Sequence, residues 1–325
     1  MTALRRVRTH PLVRRVAEAV ATLLGVAVCV FLMLRVIPGD QITATYGTEA
    51  AALTPAQREA LRSYYGIDRP LAVQFLGWLG ELGTGNLGFA RRTGQSVASM
   101  TAHALPVTLE LAVLSTLLGL ALGVPLAMWS ASRPGALRDI VGQGIGLAAL
   151  ALPSFLLGSV LLAVVSRYAG YNPNARRYAP LFDDPGLNLQ QMLFPTLVLG
   201  FALTAPIMRT ARSALLEIEG QDFVRTARGK GVSPGRIRVR HVLRAALVPI
   251  VTMTGIQFGY LLGGAVVVEQ IFSLPGLGRQ VLTGLLQKEY AVVQSSVLVV
   301  ALGFVVVNLA TDLLYRAIDP RVRES

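Results

Sequence analysis

The chain has 325 residues, of which 53% are hydrophobic and 15% charged, and its formal net charge is +12. A soluble domain usually carries about 25% charged residues, and a disordered chain is poor in hydrophobic ones, so both classes are excluded. The composition indicates an integral membrane protein with several helices. Arginine-rich cytoplasmic loops explain the positive charge, and without a basic soluble domain we expect no nucleic-acid partner.

The first 104 residues divide into three parts. Residues 1–15 are basic, and residues 16–36 form an apolar run long enough to cross the hydrocarbon layer as a helix. Because no convincing cleavage site follows this run, we interpret it as an uncleaved first transmembrane helix rather than a signal peptide. Residues 37–104 then form a long extracytoplasmic segment, in which the Thr-Pro-Ala-Gln pattern at 54–57 predicts a capped helix and residues 71–82 predict an amphipathic one.

Five further apolar stretches are each long enough to span the membrane. They cover residues 105–131, 140–166, 190–212, 245–268 and 291–314. Several contain proline, which membrane helices tolerate because neighbouring helices satisfy the freed backbone groups. The predicted fold class is therefore an all-α integral membrane protein with six transmembrane helices, the last five within a core of residues 105–314.

The distribution of basic residues predicts the orientation of these helices. Six spans place both termini on one side of the membrane. With residues 1–15 and 315–325 inside, the cytoplasmic segments hold 19 of the 30 Lys and Arg residues when the inner end of the fourth span is counted with them from Arg209. The short inside loops are dense in Arg. The positive-inside rule therefore favours an N-in/C-in topology.

The loop between the fourth and fifth spans, residues 213–244, carries the most informative pattern. Asp222 stands where a negative charge complements the positive end of a helix. Gly229 and Gly231 interrupt the apolar side that follows, and Ser-Pro at 233–234 predicts the start of another helix. We expect two short helices that meet at a glycine corner on the cytoplasmic face. A small apolar projection with a charged rim suits docking into a groove of another protein.

Part of this loop resembles a known motif. The sequence Arg-Thr-Ala-Arg-Gly-Lys-Gly at 225–231 looks like the EAA loop of ABC-importer permeases. Ala227 and Gly231 match the alanine and the glycine of that motif. Arg225 and Thr226 stand where its name-giving Glu and Ala usually occur, which is a departure from the pattern.

Other stretches resemble landmarks of the dipeptide/oligopeptide/nickel branch of these permeases, over roughly residues 12–323. The longer form Asp-Phe-Val-Arg-Thr-Ala-Arg, followed by Arg-His-Val-Leu-Arg at 240–244, is similar to that branch. Pro-Gly-Asp at 38–40, with the long outer segment after it, resembles the first of the two permease subunits, the B type. The remaining landmarks lie at residues 34–37, 65–71, 105–111, 153–155, 269–278 and 319–323.

The resemblance implies a fold, partners and a location. The fold would be that of a type I ABC-importer permease, in the plasma (inner) membrane of a prokaryote as a multi-pass protein. The partners would be a second permease subunit in a heterodimer, two ABC ATPase subunits that bind ATP and Mg, an extracytoplasmic substrate-binding protein and membrane lipid. The chain itself would hold no cofactor or metal and would not be an enzyme. Its substrate would be a di- or oligopeptide, with nickel, glutathione or another small solute as the alternative.

The resemblance also assigns two groups of site residues. The first group would couple the permease to the ATPase, and it comprises Asp222, Phe223, Arg225, Thr226, Ala227, Lys230 and Gly231. The second would form the outer gate or contact the binding protein, and it comprises Glu269, Pro275, Gly276 and Gly278. An equally good interpretation of Glu269 is a carboxylate at the membrane interface with no further role. For Glu110 we favour a structural role at the membrane boundary.

Two rival functions belong to other classes. An ion-coupled secondary transporter usually shows inverted repeats and ionisable residues at the midplane, and neither is evident here. A membrane enzyme needs a catalytic set, and none emerges from the sequence. The phosphate-binding pattern Gly-x-x-x-x-Gly-Lys-Ser/Thr is missing as well, so we expect ATP to be bound by partner subunits.

Overall fold

A computed structural model describes residues 11–36, 42, 47–64 and 66–318 of the chain. These residues are almost entirely helical, and the β pairing among them is a single isolated bridge between Phe89 and Ser96. The predicted Pro-Gly-Asp landmark at 38–40, the basic residues 1–10 and the terminal residues 319–325 lie outside the described part.

The helices are labelled in chain order. They are α1 (Pro11–Val36), α2 (Pro55–Tyr64), α3 (Leu71–Gly83), α4 (Val97–Ala131), α5 (Leu137–Ala151), α6 (Ser154–Ala169), α7 (Pro185–Glu219), α8 (Asp222–Gly229), α9 (Pro234–Gly264), α10 (Val266–Ile271), α11 (Leu277–Leu286) and α12 (Tyr290–Ile318). A 3₁₀ helix at Gly47–Ala52 precedes α2.

Five of the described helices are long and apolar enough to cross a membrane, namely α1 from Val13, α4, α7, α9 and α12. A sixth span results if α5 and α6 count as one, although they are bent by 91° relative to each other. The sequence predicts one continuous helix over 140–166, and the structure breaks it at Leu152 and Pro153. Leu152 is extended (φ −88°, ψ 113°), because proline disfavours the helical conformation in the residue before it.

The chain divides into two compact units. One comprises Met1–Ala102 and Gln280–Val305, and the other comprises His103–Arg279 and Val306–Ser325. The first unit therefore contains α1 to α3. The second contains α5 to α10, which include the predicted coupling loop.

In the first unit, aromatic rings join α1 to α3. The Phe31 ring meets Phe75 edge-on at 5.1 Å between centroids and stacks on Trp78 at 6.1 Å. The Arg35 guanidinium lies 3.3 Å above the Phe31 ring and donates a hydrogen bond to Gln74 at 2.9 Å. These contacts hold the amphipathic α3 against the end of the first span.

Polar contacts fix the loops of the same unit. Glu289 accepts hydrogen bonds from the backbone N–H groups of Arg91 and Arg92 at 2.9 and 2.7 Å. The capping box predicted at the start of α2 is confirmed. Its Thr54 N–H donates to Gln57 Oε1 at 2.9 Å, and the Gln57 N–H donates back to Thr54 Oγ1 at 3.3 Å.

In the second unit, α7 lies at the centre and packs against α5, α6 and α9. Glycines bring α4 and α7 close together. A Cβ added at Gly119 would lie 2.8 Å from Leu203 Cβ, and one at Gly200 would lie 2.6 Å from Leu118 Cδ2. Small residues at helix contacts are typical of membrane bundles, in which close van der Waals packing replaces the hydrophobic effect.

Candidate coupling loop and outer turn

The central helix α7 extends to Glu219, so residues 213–219 of the predicted coupling loop are its last turns, and the chain leaves this helix at Gly220. After Gly220, helix α8 starts at Asp222 and turns one face inward, so that Val224 is fully buried. Ala227 and Val232 pack against the same apolar cluster. Its buried members come from α4, α7, α8 and α9: Ala127, Ala131, Met208, Ala211, Ala214, Leu215, Ile218, Val224, Ile237, Val242, Ala246 and Ile250.

The corner after α8 is a Schellman motif, the hydrogen-bonded ending in which a left-handed residue terminates a helix. Gly231 has φ +73°. Its N–H donates to the carbonyl of Arg228 at 3.0 Å, and the N–H of Val232 donates to the carbonyl of Ala227 at 3.2 Å. The structure thus shows the predicted glycine corner and gives the alanine and glycine of the motif distinct roles. Ala227 supplies an acceptor and an apolar contact, and Gly231 supplies the left-handed backbone.

The outer face of the loop is polar and mostly cationic. Phe223 is 44% exposed and forms the apolar part of this face. Arg225 and Asp222, whose side chains are 76% and 96% exposed, lie 3.7 Å apart. The Thr226 hydroxyl donates to the carbonyl of Asp222 at 3.0 Å, and Lys230 is exposed. The side chains of the predicted coupling residues therefore divide into a buried side that holds the loop and an exposed side free for a partner.

Past the corner, Ser233 and Pro234 begin α9, which runs without a break into the fifth predicted span. The second helix of the loop is therefore not the short one that the sequence predicts, because no break separates it from the span. Residues Ile237–Val242 of α9 form a π-helical stretch. Within it, Arg238 Nε donates to Glu219 Oε1 at 3.0 Å, and its Nη2 lies 3.5 Å from the carbonyl oxygen of Ser132. This arginine links the loop to the carbonyl ends of α4 and α7.

A second ion pair lies in the same unit. Arg212 on α7 forms a bidentate pair with Asp139 on α5, with both N–O distances at 2.8 Å. Ser130 and the N–H of Gly135 also donate to this carboxylate, at 2.6 and 2.9 Å. Asp139 is only 2% exposed, and removing one partner of a buried pair costs about 3–5 kcal/mol. The pair therefore fixes the start of α5 against α4 and α7.

The predicted outer-gate residues form a separate, tightly held turn. Glu269 on α10 is fully buried. Its carboxylate accepts hydrogen bonds from Thr108 Oγ1 at 2.7 Å and from the Arg279 N–H at 2.9 Å. Thr108 in turn accepts from the Leu277 N–H at 2.8 Å. Glu269 thus caps the start of α11 and ties it to α4, which supports a structural role beyond that of an interface carboxylate.

The glycines of this turn allow it to close over Glu269. A Cβ at Gly276 would overlap the Glu269 carboxylate, and one at Gly278 would lie 2.7 Å from Val266 Cα. Pro275 is exposed on the other side of the turn. The structure therefore brings Glu269, Gly276 and Gly278 together and leaves Pro275 accessible.

Burial raises the pKa of the Glu269 carboxyl above its ordinary value of 4.5. The hydrogen bonds from Thr108 and from the backbone oppose this shift, because they favour the charged form. The cost of removing the carboxylate from water is the larger effect. Among the described residues, no three His, Cys, Asp or Glu side chains come together as a metal site.

Glu110 has a structural environment as well. Its Oε2 accepts from the Tyr178 hydroxyl at 3.0 Å and from Asn188 Nδ2 at 3.2 Å. Burial and the nearby Glu110 carboxylate raise the pKa of Tyr178 far above its usual range, so Tyr178 remains a neutral donor. These contacts agree with the structural role favoured for Glu110.

Sequence reasoning missed several residues that organise the two sites. Asp139, Arg212, Arg238 and Thr108 all make buried or half-buried polar contacts. A charged residue at the end of an apolar span was the available signal for Asp139 and Arg212. Nothing in the sequence indicated which partners they would meet, because each contact joins different helices.

Comparison with known proteins identifies the class. Residues 123–324 match the family described as binding-protein-dependent transport system inner membrane component, and residues 9–112 match its N-terminal family. The chain belongs to this family. It is the multi-pass permease subunit of an ABC importer in a prokaryotic inner membrane, and such a permease works with ATPase and binding-protein partners.

Relatives and a solved structure agree with this assignment. The chain is 35% identical to the glutathione transport system permease protein GsiC of Salmonella choleraesuis over 314 residues, 95% of this chain and 97% of that one. It is 36% identical to a protein of Brucella ovis named as a peptide permease, over 95% of this chain and 97% of that one. A chain of the inward-facing MetNI methionine ABC transporter shares the fold, with a TM-score of 0.52 and 21% identity over 68% of this chain and 97% of that one.

Proposed function

We propose that this chain is one of two permease subunits through which short peptides cross the inner membrane. The similarity to glutathione and peptide permeases over 95% of the chain carries this proposal. Glutathione is itself a tripeptide, so both relatives favour one substrate class. Nickel has no comparable support among these relatives.

The coupling loop is the part we propose to meet an ATPase subunit. Its buried side joins it to the apolar cluster of α4, α7 and α9, and its exposed side offers Phe223 among charged groups. A half-exposed aromatic residue within a charged rim is a common anchor in a protein interface. ATP closure of two ATPase subunits would then move the loops together as rigid bodies and open the outer half of the pore.

The turn at 273–279 is the part we propose to lie at the outer gate. Glu269 keeps the turn closed from within, and Pro275 is exposed where a binding protein would dock. The N-in/C-in topology, which places this turn outside and the coupling loop inside, remains a proposal based on the distribution of basic residues.

Charge reversal at Asp222 tests the ATPase contact. Asp222→Lys places a positive charge at the positive end of α8, and we expect it to reduce the amount of ATPase that copurifies in gentle detergent by about fivefold, equivalent to roughly 1 kcal/mol. Glu217→Lys, the same charge change at an exposed residue near the end of α7, is the control and should retain the ATPase. Equal amounts of ATPase with both variants would contradict the proposed role of Asp222.

A further inference from the structure

The connection between the coupling loop and the transmembrane helices is made at a π-helical stretch. In Ile237–Val242 the N–H of Leu243 bonds to the carbonyl of Arg238, five residues back. Ile237 and Val242 are buried within the apolar cluster. Short π-helical turns inside α-helices are rare in proteins, and those that occur are often found at functional sites. Here the turn begins six residues after Gly231, with the helical stretch Pro234–Arg236 in between.

Arg238 makes the polar part of this connection. It reaches Glu219 at the end of α7 at 3.0 Å and the Ser132 carbonyl, just past α4, at 3.5 Å. The side chains of Arg238 and Glu219 are 30% and 19% exposed, so solvent screens this pair less than a surface pair. A cation beside the carbonyl ends of two helices also complements their dipoles. Three elements therefore converge on one guanidinium.

Apolar contacts alone would leave the loop able to pivot. The apolar cluster joins Val224 and Val242 to α7, but such packing is non-directional. A charged hydrogen bond adds a fixed geometry, and a guanidinium holds two partners in one plane. The neighbouring Arg240 is exposed. Of the two arginines in the π-helical stretch, Arg238 therefore contacts α7 and the end of α4, whereas Arg240 lies at the surface.

We propose that Arg238 is the positioning residue that makes the coupling loop move as one body with the cytoplasmic ends of α4 and α7. With Arg238 in place, movement of the loop is passed to both transmembrane helices. Without it, the loop pivots on its apolar contacts and part of the movement is lost. This inference rests on the proposed contact of the loop with an ATPase.

Spin-label distances test the inference without a transported substrate. Cys29 is the chain's single cysteine, so a Cys29→Ser background allows labels at Arg236→Cys on the loop and Leu117→Cys on α4, both exposed positions. The complex is purified from its native membrane, and the distance is measured by pulsed electron spin resonance before and after ATP with vanadate. With Arg238 present, we expect a single distance between the two labels that ATP does not change. After Arg238→Met, we expect ATP to shift or broaden this distance.

Matched variants make the result specific to the ion pair. Arg240→Met removes the same charge from the same stretch and should leave the distance unchanged by ATP. Glu219→Gln keeps the size and shape of the Glu219 side chain but removes its charge, and it should broaden the distance distribution as Arg238→Met does. It replaces Arg238→Met in the test if the complex with that variant does not assemble. An ATP-dependent distance with Arg238 present, or an unchanged one in both Arg238→Met and Glu219→Gln, would overturn the proposal.

Transport measurements separate positioning from stability. Purified complexes in vesicles, with their binding protein, are assayed for trialanine and glutathione uptake per ATP hydrolysed. We expect Arg238→Met to lower this ratio about fivefold, the range of coupling effects of single residues, and Arg238→Lys to restore most of it. A merely structural role would lower the amount of complex and leave the ratio unchanged, which would overturn the proposal.

The same preparations distinguish failure of the proposed contact between loop and ATPase from failure of the inference about Arg238. ATPase is quantified in every sample. If no ATPase copurifies with the unaltered chain, the proposed contact of the loop fails. If ATPase copurifies and hydrolyses ATP but Arg238→Met behaves like Arg240→Met, only the inference about Arg238 fails.

Discussion

At the residue scale, Glu269 shows how one buried carboxylate organises the turn at residues 273–279. It accepts hydrogen bonds from Thr108 on α4 and from the backbone at the start of α11. An isolated carboxylate at such a site would be strongly unfavourable, and these donors offset part of the desolvation cost. Gly276 lets the turn approach the carboxylate more closely than any other residue would allow.

Gly276→Ala tests this close approach. The new methyl group would overlap the Glu269 carboxylate, and we expect the protein to lose about 1–3 kcal/mol of stability, as for other overpacked sites. The thermal unfolding midpoint in detergent measures the effect. Gly264→Ala is the control, because nothing lies within 4 Å of its added Cβ. Equal midpoints for the two variants would contradict the packing described for the turn.

The raised pKa of Glu269 predicts a pH dependence of stability. The folded protein retains this proton at pH values at which the unfolded chain, with a pKa near 4.5, releases it. The contribution of Glu269 to stability is therefore complete below pH 4.5 and decreases as pH rises through the higher pKa of the folded state. Unfolding midpoints between pH 4.5 and 8 should fall more for the unaltered chain than for Glu269→Gln. Parallel curves for the two proteins would contradict the shift.

The sequence identified Glu269 and its glycines as candidates but left the role of the carboxylate open. The segment was identified because residues 269–278 resemble a landmark of the permease family. The partner Thr108 lies 161 residues earlier in the chain, and no local pattern connects two such positions. The same applies to Asp139 and Arg212.

At the element scale, the shape of the coupling loop depends on how α8 ends. Gly231 adopts φ +73° and closes a Schellman motif. A Cβ added there meets no neighbouring atom within 4 Å, so the cost of substitution comes mainly from the backbone, at about 1–2 kcal/mol for a left-handed residue other than glycine.

Gly231→Leu should therefore leave the protein in the membrane but uncouple transport. We expect uptake per ATP to fall about tenfold, because the reshaped corner no longer fits the ATPase; a tenfold change corresponds to about 1.4 kcal/mol. Gly231→Asn should be milder, because asparagine adopts this conformation more readily. Gly235→Leu serves as a control, since that glycine has no positive φ and open space around it. Normal uptake by Gly231→Leu would contradict the role of the corner.

Local chemistry made this loop predictable, whereas other elements were not. Asp222, the two glycines and Ser-Pro at 233–234 each act within one turn of the chain, and the structure shows the helix start, the corner and the helix restart where they were expected. The π-helical stretch has no such signal. The break at Pro153 was visible as a proline, but no local pattern gives the 91° bend between α5 and α6, both of which contact α7.

At the scale of the whole molecule, the assignment rests on agreement along the entire chain. Both family matches together cover residues 9–112 and 123–324, and they include both compact units. The apolar composition predicted the class, the order of weak motifs predicted the family, and the comparisons confirm both. The substrate was less accessible from the sequence, because the spans are mostly apolar.

Purification of the complex from its native membrane, followed by mass spectrometry, tests the central claim most directly. A tag on this chain and a gentle detergent should recover a second six-helix permease and one or two ABC ATPase subunits, in amounts reduced by Asp222→Lys but not by Glu217→Lys. An intact chain that is recovered alone, or only with copies of itself, would contradict the account, because the permease would then lack the ATPase that powers import.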